Sequence, residues 1–303
     1  MKLFYFISAE GNVGDDLNPW LWPKIFQQFL NEDDQHLLLG IGTILNSKLP
    51  EAKKYTIISS GVGYHNQPNF HGIDCDFVAL RGPLSEQILG VEDKQPVLLD
   101  GAYLMPLYLP RKVESKAGTT GFIPHVDSLI VGPWEEICAV VGLKLLDPRW
   151  SVEKFITELC ECENVITEAM HGAILADAYR IPWFPVKGYE HINDFKWQDW
   201  SKSLLMEVSL HPLVPIWRGD QGLPVKRKII NGVKRFTNSL GIYPKKWHQV
   251  LPTRSSVRTF KENISLLTGY KNNSDFILSR TDIMKQKTDQ LHQRILDYKN
   301  SLS

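Results

Sequence analysis

No stretch of the chain approaches the run of about 18 apolar residues that a membrane-spanning helix needs. The first hydrophobic run, Leu3-Phe4-Tyr5-Phe6-Ile7, is too short for the core of a signal peptide. The cytoplasm is therefore the expected location. Cysteine is scarce, and Cys75, Cys138, Cys160 and Cys162 form neither a C-x-x-C pair nor a disulfide framework, so buried, reduced thiols are expected. The chain has no G-x-G-x-x-G fingerprint, no G-x-S-x-G nucleophile elbow and no H-E-x-x-H, and its spacing shows no His/Cys cluster. Neither a metal nor a cofactor is expected.

Net charge is absent too, with 34 basic and 34 acidic residues, but the balance hides an asymmetry. Residues 221–303 hold 16 Lys/Arg and 5 Asp/Glu, a net of +11, whereas residues 1–220 hold 18 and 29, a net of −11. A basic tail on an acidic body, with no binding motif, does not describe a nucleic-acid partner.

What is present is a repeated pattern. Short β-branched or leucine-rich runs at residues 2–7, 37–41, 55–59, 76–80 and 97–99 each end in glycine and polar residues, as in a sheet buried on both faces with its loops along one edge. Helical spacing at 17–30 follows the Gly11-Asn12-Val13-Gly14-Asp15-Asp16 loop, where Asp15 or Asp16 can cap the helix and Pro19 falls in its first turn. Pro83 opens a short helix that Gly90 ends. Residues 106–119 lack periodicity and read as a linker. The pattern then restarts at 121–125, with helices at 134–141 and 152–162 and strands at 143–146, 164–167 and 183–186. Two consecutive β/α domains are implied, 1–112 and 113–220, followed by a basic helical extension over 221–303 with helices near 225–240, 257–267 and 282–298.

The chain is organised around Thr167-Glu168-Ala169-Met170-His171-Gly172-Ala173-Ile174-Leu175-Ala176, which reads as strand, sharp turn and small-residue helix. Ligands of open α/β folds sit at such a strand end, and free N–H groups at a helix start suit an anion. His171 heads the candidates for proton transfer, and His125, which also ends a strand, is second. Glu168 is either a base or the partner that orients His171. Arg81 ends a strand before Gly-Pro, where its guanidinium can take a carboxylate or phosphate in a bidentate way or instead form a salt bridge between domains.

These residues resemble the polysaccharide pyruvyl transferases. The matching pieces include Gly11 to Pro19, Gly40-Ile41-Gly42-Thr43-Ile44-Leu45, Ser60-Gly61-Val62-Gly63 and Ala79-Leu80-Arg81-Gly82-Pro83-Leu84-Ser85. Leu99-Asp100-Gly101-Ala102, Ile123-Pro124-His125 and Glu168 to Ala176 follow in the family's order. Where many relatives have Asp-Pro, this chain has Asp100-Gly101. The resemblance implies two Rossmann-like domains facing a cleft, as in GT-B glycosyltransferases, with phosphoenolpyruvate as donor and a lipid-linked sugar as acceptor. In such a site His171, or His125, would protonate the donor, while Arg81, Asn12, Gly14, Gly61 and Gly172 would surround it. Asp15, Asp16 or Glu168 would deprotonate a sugar hydroxyl.

Two competing readings share the pattern: a glycosyltransferase using a nucleotide sugar, and a non-catalytic sugar-binding protein of a polysaccharide assembly complex. The tail reads either as a solvated appendage or as a segment holding the protein against anionic lipid at the inner face of the plasma membrane.

Overall fold

The apolar runs become parallel strands. In the computed structural model, which describes residues 1–241, 252–272 and 275–303, they form two five-stranded sheets. The first contains β1 (Lys2–Phe4), β2 (His36–Leu39), β3 (Lys54–Ser60), β4 (Asp74–Leu80) and β5 (Val97–Leu98), side by side in chain order. Consecutive residues Leu37, Leu38 and Leu39 are all buried, so both faces of this sheet are covered. The second contains β6 (Thr120–Ile123), β7 (Lys144–Leu145), β8 (Asn164–Thr167), β9 (Trp183–Lys187) and β10 (His211–Pro212), ordered β10-β9-β8-β6-β7. The chain leaves β6 for β7 on one side and returns to β8 on the other. That reversal between β6 and β8 is a topological switch point, where open α/β sheets leave a crevice.

The first helix, α1 (Val13–Phe26), begins four residues before its apolar spacing does. Its cap is Asn12, whose Oδ1 accepts from Gly14 N (3.2 Å), rather than Asp15 or Asp16. Pro19 therefore lies inside the helix and not in its first turn. It cannot donate to the Asp15 carbonyl, and Asn18 Nδ2 does so in its place (2.9 Å). The next helix, α2 (Pro83–Leu89), ends at Gly90 with φ 63° as its residues predict. Two short helices were not legible: α3 (Met105–Tyr108), which opens the stretch expected to be a linker, and α4 (Val126–Val131), which His125 caps. After α5 (Trp134–Val141), α6 (Val152–Cys160) and α7 (Met170–Ala178) comes α8 (Asp194–Ser203), capped by Asn193.

The basic tail is not one unit. It holds α9 (Val225–Ser239), α10 (Val257–Lys271) and α11 (Thr281–Ser301). Against α5 lies α10, with Leu267 buried, and along β4 and β5 lies α11, with Leu291 and Ile295 buried. Asp177 of α7 is buried and accepts from Ser279 N (2.7 Å) and Tyr103 Oη (2.9 Å), which fastens the start of α11 to the body. The expectation of an appendage survives for α9 alone. Among the described residues no helix is long and apolar enough to cross a membrane.

One ion pair spans the two halves. Arg81, at the end of β4, places Nε and Nη2 at 2.9 and 2.8 Å from Asp199 Oδ2 on α8, and both side chains are fully buried. Asp199 Oδ1 also accepts from Ser85 N (2.9 Å) at the start of α2, and Arg81 donates to Val62 O and Thr43 Oγ1. Gly61 is required here because a Cβ would run into the guanidinium. Removing one partner leaves the other buried and unpaired. Asp199→Ala is accordingly expected to lower stability by about 3–5 kcal/mol, measured by urea unfolding.

Candidate active site

A cavity of about 690 Å³ opens at the carboxyl ends of both sets of strands. From the first half it is lined by Asn12, Asp15, Thr43, Tyr64 and the segment Phe4 to Ile7; from the second, by His125, Met170, His171, Gly172 and Lys196. His125 follows β6 and His171 follows β8, so the two histidines flank the switch point.

His171 stands in the first turn of α7 with its side chain 14% exposed. Its Nε2 is buried and points at Asp100 Oδ2 of the first half, 3.7 Å away, and neither atom has a hydrogen-bond partner among the described residues. Asp100 is fully buried and uses Oδ1 to accept from Ala102 N (2.9 Å). With Nε2 turned inward, Nδ1 is the ring nitrogen left for the cavity. It lies over Gly14, where a Cβ would overlap it, so Gly14 makes room for the imidazole rather than lining the cavity itself. Gly172 does line the cavity, and it also packs on Thr167 and Ile123 at the base of α7.

Asp15 shares the cavity. Asn12 Nδ2 donates to its Oδ2 (2.7 Å), yet burial dominates and raises its pKa to about 6, against the opposing pull of His171. Asp16, one residue on, does not line the cavity and takes the Asn12 N–H on Oδ2 (3.2 Å). Lys196 on α8 is one of two lysines that line the cavity, the other being Lys48. Burial, reinforced by Arg81, lowers Lys196 to about 8, and its Nζ donates to Tyr64 Oη (2.6 Å). An acid raised and a base lowered around one cavity is a common property of functional sites.

Besides Gly14 and Asp16, three further expected residues do not line the cavity. Arg81 faces inward to Asp199, so its guanidinium does not reach the cavity. Glu168 is fully buried and does not touch His171; its Oε1 accepts from Gly188 N (2.9 Å) and its Oε2 from His125 N (3.0 Å). Glu168 therefore pins the turn after β6 to the end of β9, and its burial raises its pKa. Gly61 belongs to the Arg81 pocket. In return the fold supplies Asp100 and Lys196, which the sequence did not single out as site residues. Asp100 stood in one of the motifs, whereas Lys196 carries no local signal.

His125 is half-buried at the cavity wall, and burial together with His191 lowers its pKa to about 4. His125, Asp127 and His191 bring ligand-type atoms within 4.8 Å of one another, a set able to hold a metal ion. The expectation of no such group rested on local spacing, which does not register a histidine brought in from α8's approach.

Residues 14–189 match the polysaccharide pyruvyl transferase family. Over 211 residues the chain is 40% identical to the succinoglycan biosynthesis protein ExoV of Rhizobium meliloti (strain 1021), a match covering 67% of this chain and 65% of that protein. No solved structure matches the chain.

If Glu168 is a structural acceptor, Glu168→Gln puts an amide N–H against a backbone donor. The expected result is a stability loss of about 1–3 kcal/mol, read by thermal unfolding.

Proposed function

Because the chain belongs to the polysaccharide pyruvyl transferase family, we propose that it transfers pyruvate from phosphoenolpyruvate to a sugar of a lipid-linked polysaccharide repeat unit, forming a cyclic ketal in exopolysaccharide biosynthesis. The two sheets are read as Rossmann-like domains, residues 1–112 and 113–220, in a GT-B-like arrangement about the cavity. The observation that carries the reading is the convergence of His171, Asp15 and Lys196 on that one cavity. The donor has a carboxylate, a phosphate and a basic methylene carbon, and these three groups match a cation and a proton donor.

In this mechanism Lys196 and the free N–H groups at the start of α7 hold the donor's anionic groups. His171 Nδ1 gives a proton to the methylene carbon, which becomes the ketal methyl group, while Asp100 steadies the imidazolium from behind. Asp15 accepts the proton of the attacking hydroxyl, the new C–O bond forms at the central carbon, and the C–O bond to phosphate breaks. A second hydroxyl of the same sugar closes the ring, its proton leaving with phosphate. Arg81 acts at one remove, through Thr43 and Asp199. On the acceptor side, Phe6 (61% exposed) and Tyr64 (40% exposed) offer aromatic faces at the cavity to a sugar ring.

Phosphoenolpyruvate is expected to raise the melting temperature and nucleotide sugars are not; the opposite pattern would replace this reading by glycosyl transfer, and stabilisation by free sugars alone by simple binding. His171→Ala is expected to lower turnover about 10²–10⁴-fold, followed as phosphate release with the ketal methyl signal by NMR. The pH dependence has a definite sign. Asp15 works ionised, so kcat/KM should fall as pH drops below about 6, and Lys196 works protonated, so it should fall as pH rises past about 8. Lys196→Arg should move only the alkaline limb, upward, because a guanidinium stays charged.

A further inference from the structure

The helix α9 carries an apolar stripe that no part of the described chain covers. Val225, Ile229, Val233, Phe236 and, at its end, Leu240 are each between 53% and 71% exposed. At about 100° per residue they fall within an arc of about 80°. Lys226 and Lys228 flank the stripe on its two sides, Arg227 and Lys234 lie opposite, and the helix contains no acidic residue. Its orientation is set by the far face. Asp220 accepts from Asn231 Nδ2 (2.7 Å) and pairs with Arg235, and both residues lie on the side away from the stripe. The tether therefore turns the apolar residues outward.

A soluble surface rarely presents five large apolar side chains in one line, and a basic rim around such a line matches a negatively charged, laterally apolar partner. We propose that α9 lies in the surface of an anionic lipid bilayer, with its apolar stripe among the acyl chains and its lysines at the headgroups. At 15 residues it is about 22 Å long, suited to lying in the interface and too short to cross it. The choice of lipid over a protein partner rests on the charge match and on the reading that the acceptor is lipid-linked. Docked in this way, α9 would bring the cavity to the membrane in which that acceptor sits. The other tail helices take no part, since apart from Val257 at the start of α10 none of their large apolar residues is exposed.

Flotation of the full chain with phosphatidylcholine vesicles, with and without phosphatidylglycerol, tests the proposal. The wild type should float with the anionic vesicles, less so as salt rises. Ile229→Glu with Phe236→Glu, and separately Lys226→Glu with Lys228→Glu, should each weaken binding at least tenfold. All four positions are exposed or outside the core, so folding is unaffected. Failure of the wild type to float, or flotation unchanged by either double variant, overturns the proposal. So does concentration-dependent dimerisation that the Ile229→Glu/Phe236→Glu variant abolishes, which would assign the stripe to a second copy of the chain. Phosphate release from phosphoenolpyruvate with a water-soluble acceptor is measured alongside. Activity without flotation sinks the membrane docking alone, and flotation without activity sinks the pyruvyl reading alone.

Discussion

The buried pair of Arg81 and Asp199 is the constraint on which the rest of the site depends. A charge taken out of water is tolerated only where its partner and further hydrogen bonds meet it at close range. That requirement allows one placement of α8 relative to the first sheet, because Asp199 must meet Arg81 at the end of β4 and the Ser85 amide at the start of α2 together. Lys196 lies three residues before Asp199 on the same helix. Fixing Asp199 inside therefore fixes Lys196 at the cavity, one turn away. The arginine that looked like the ligand contact is the anchor, and the lysine it positions lines the cavity.

A similar division of labour holds on the other wall. Glu168 ties two loop backbones together beneath the surface, Asp100 meets the inner nitrogen of His171, and Gly14 leaves the space into which the ring fits. His171 at the cavity wall is thus seated by Asp100 and Gly14, neither of which lines the cavity. Burial then does the electrostatic work, raising the Asp15 carboxyl and lowering the Lys196 ammonium toward neutrality. Burial makes each group costly to charge at the cavity.

Charge counted along the chain misjudged the tail. A net of +11 over residues 221–303 suggested one solvated or lipid-facing unit, yet α10 and α11 bury leucine and isoleucine against opposite sheets and close the core of each. Among the described residues, α9 is the tail helix that keeps a line of apolar residues outside, against a single exposed valine, Val257, on α10. Net charge is a property of surface, and says nothing about which helix has a core to join.

The sequence by itself determined the α/β class, nine of the ten strands among the described residues to within a few positions, and that His171 and Asp15 stand at strand and helix ends facing one cavity edge, because periodicity, glycine-terminated strands and a small-residue helix start are local properties of the chain. It also placed His125 at a strand end, and the adjacency of β6 and β8 brings it to the same cavity as His171. Only the tertiary structure put Asp15 at the cavity and Asp16 away from it, because adjacent residues on a helix point in different directions and Asp16 accepts from the Asn12 N–H. Only it decided that Arg81 and Glu168 turn inward, that Asp100 faces the inner nitrogen of His171 and that Lys196 lines the cavity. Those assignments depend on which distant groups lie within hydrogen-bond range, and a buried ion pair between residues 81 and 199 leaves no mark in the spacing of either segment.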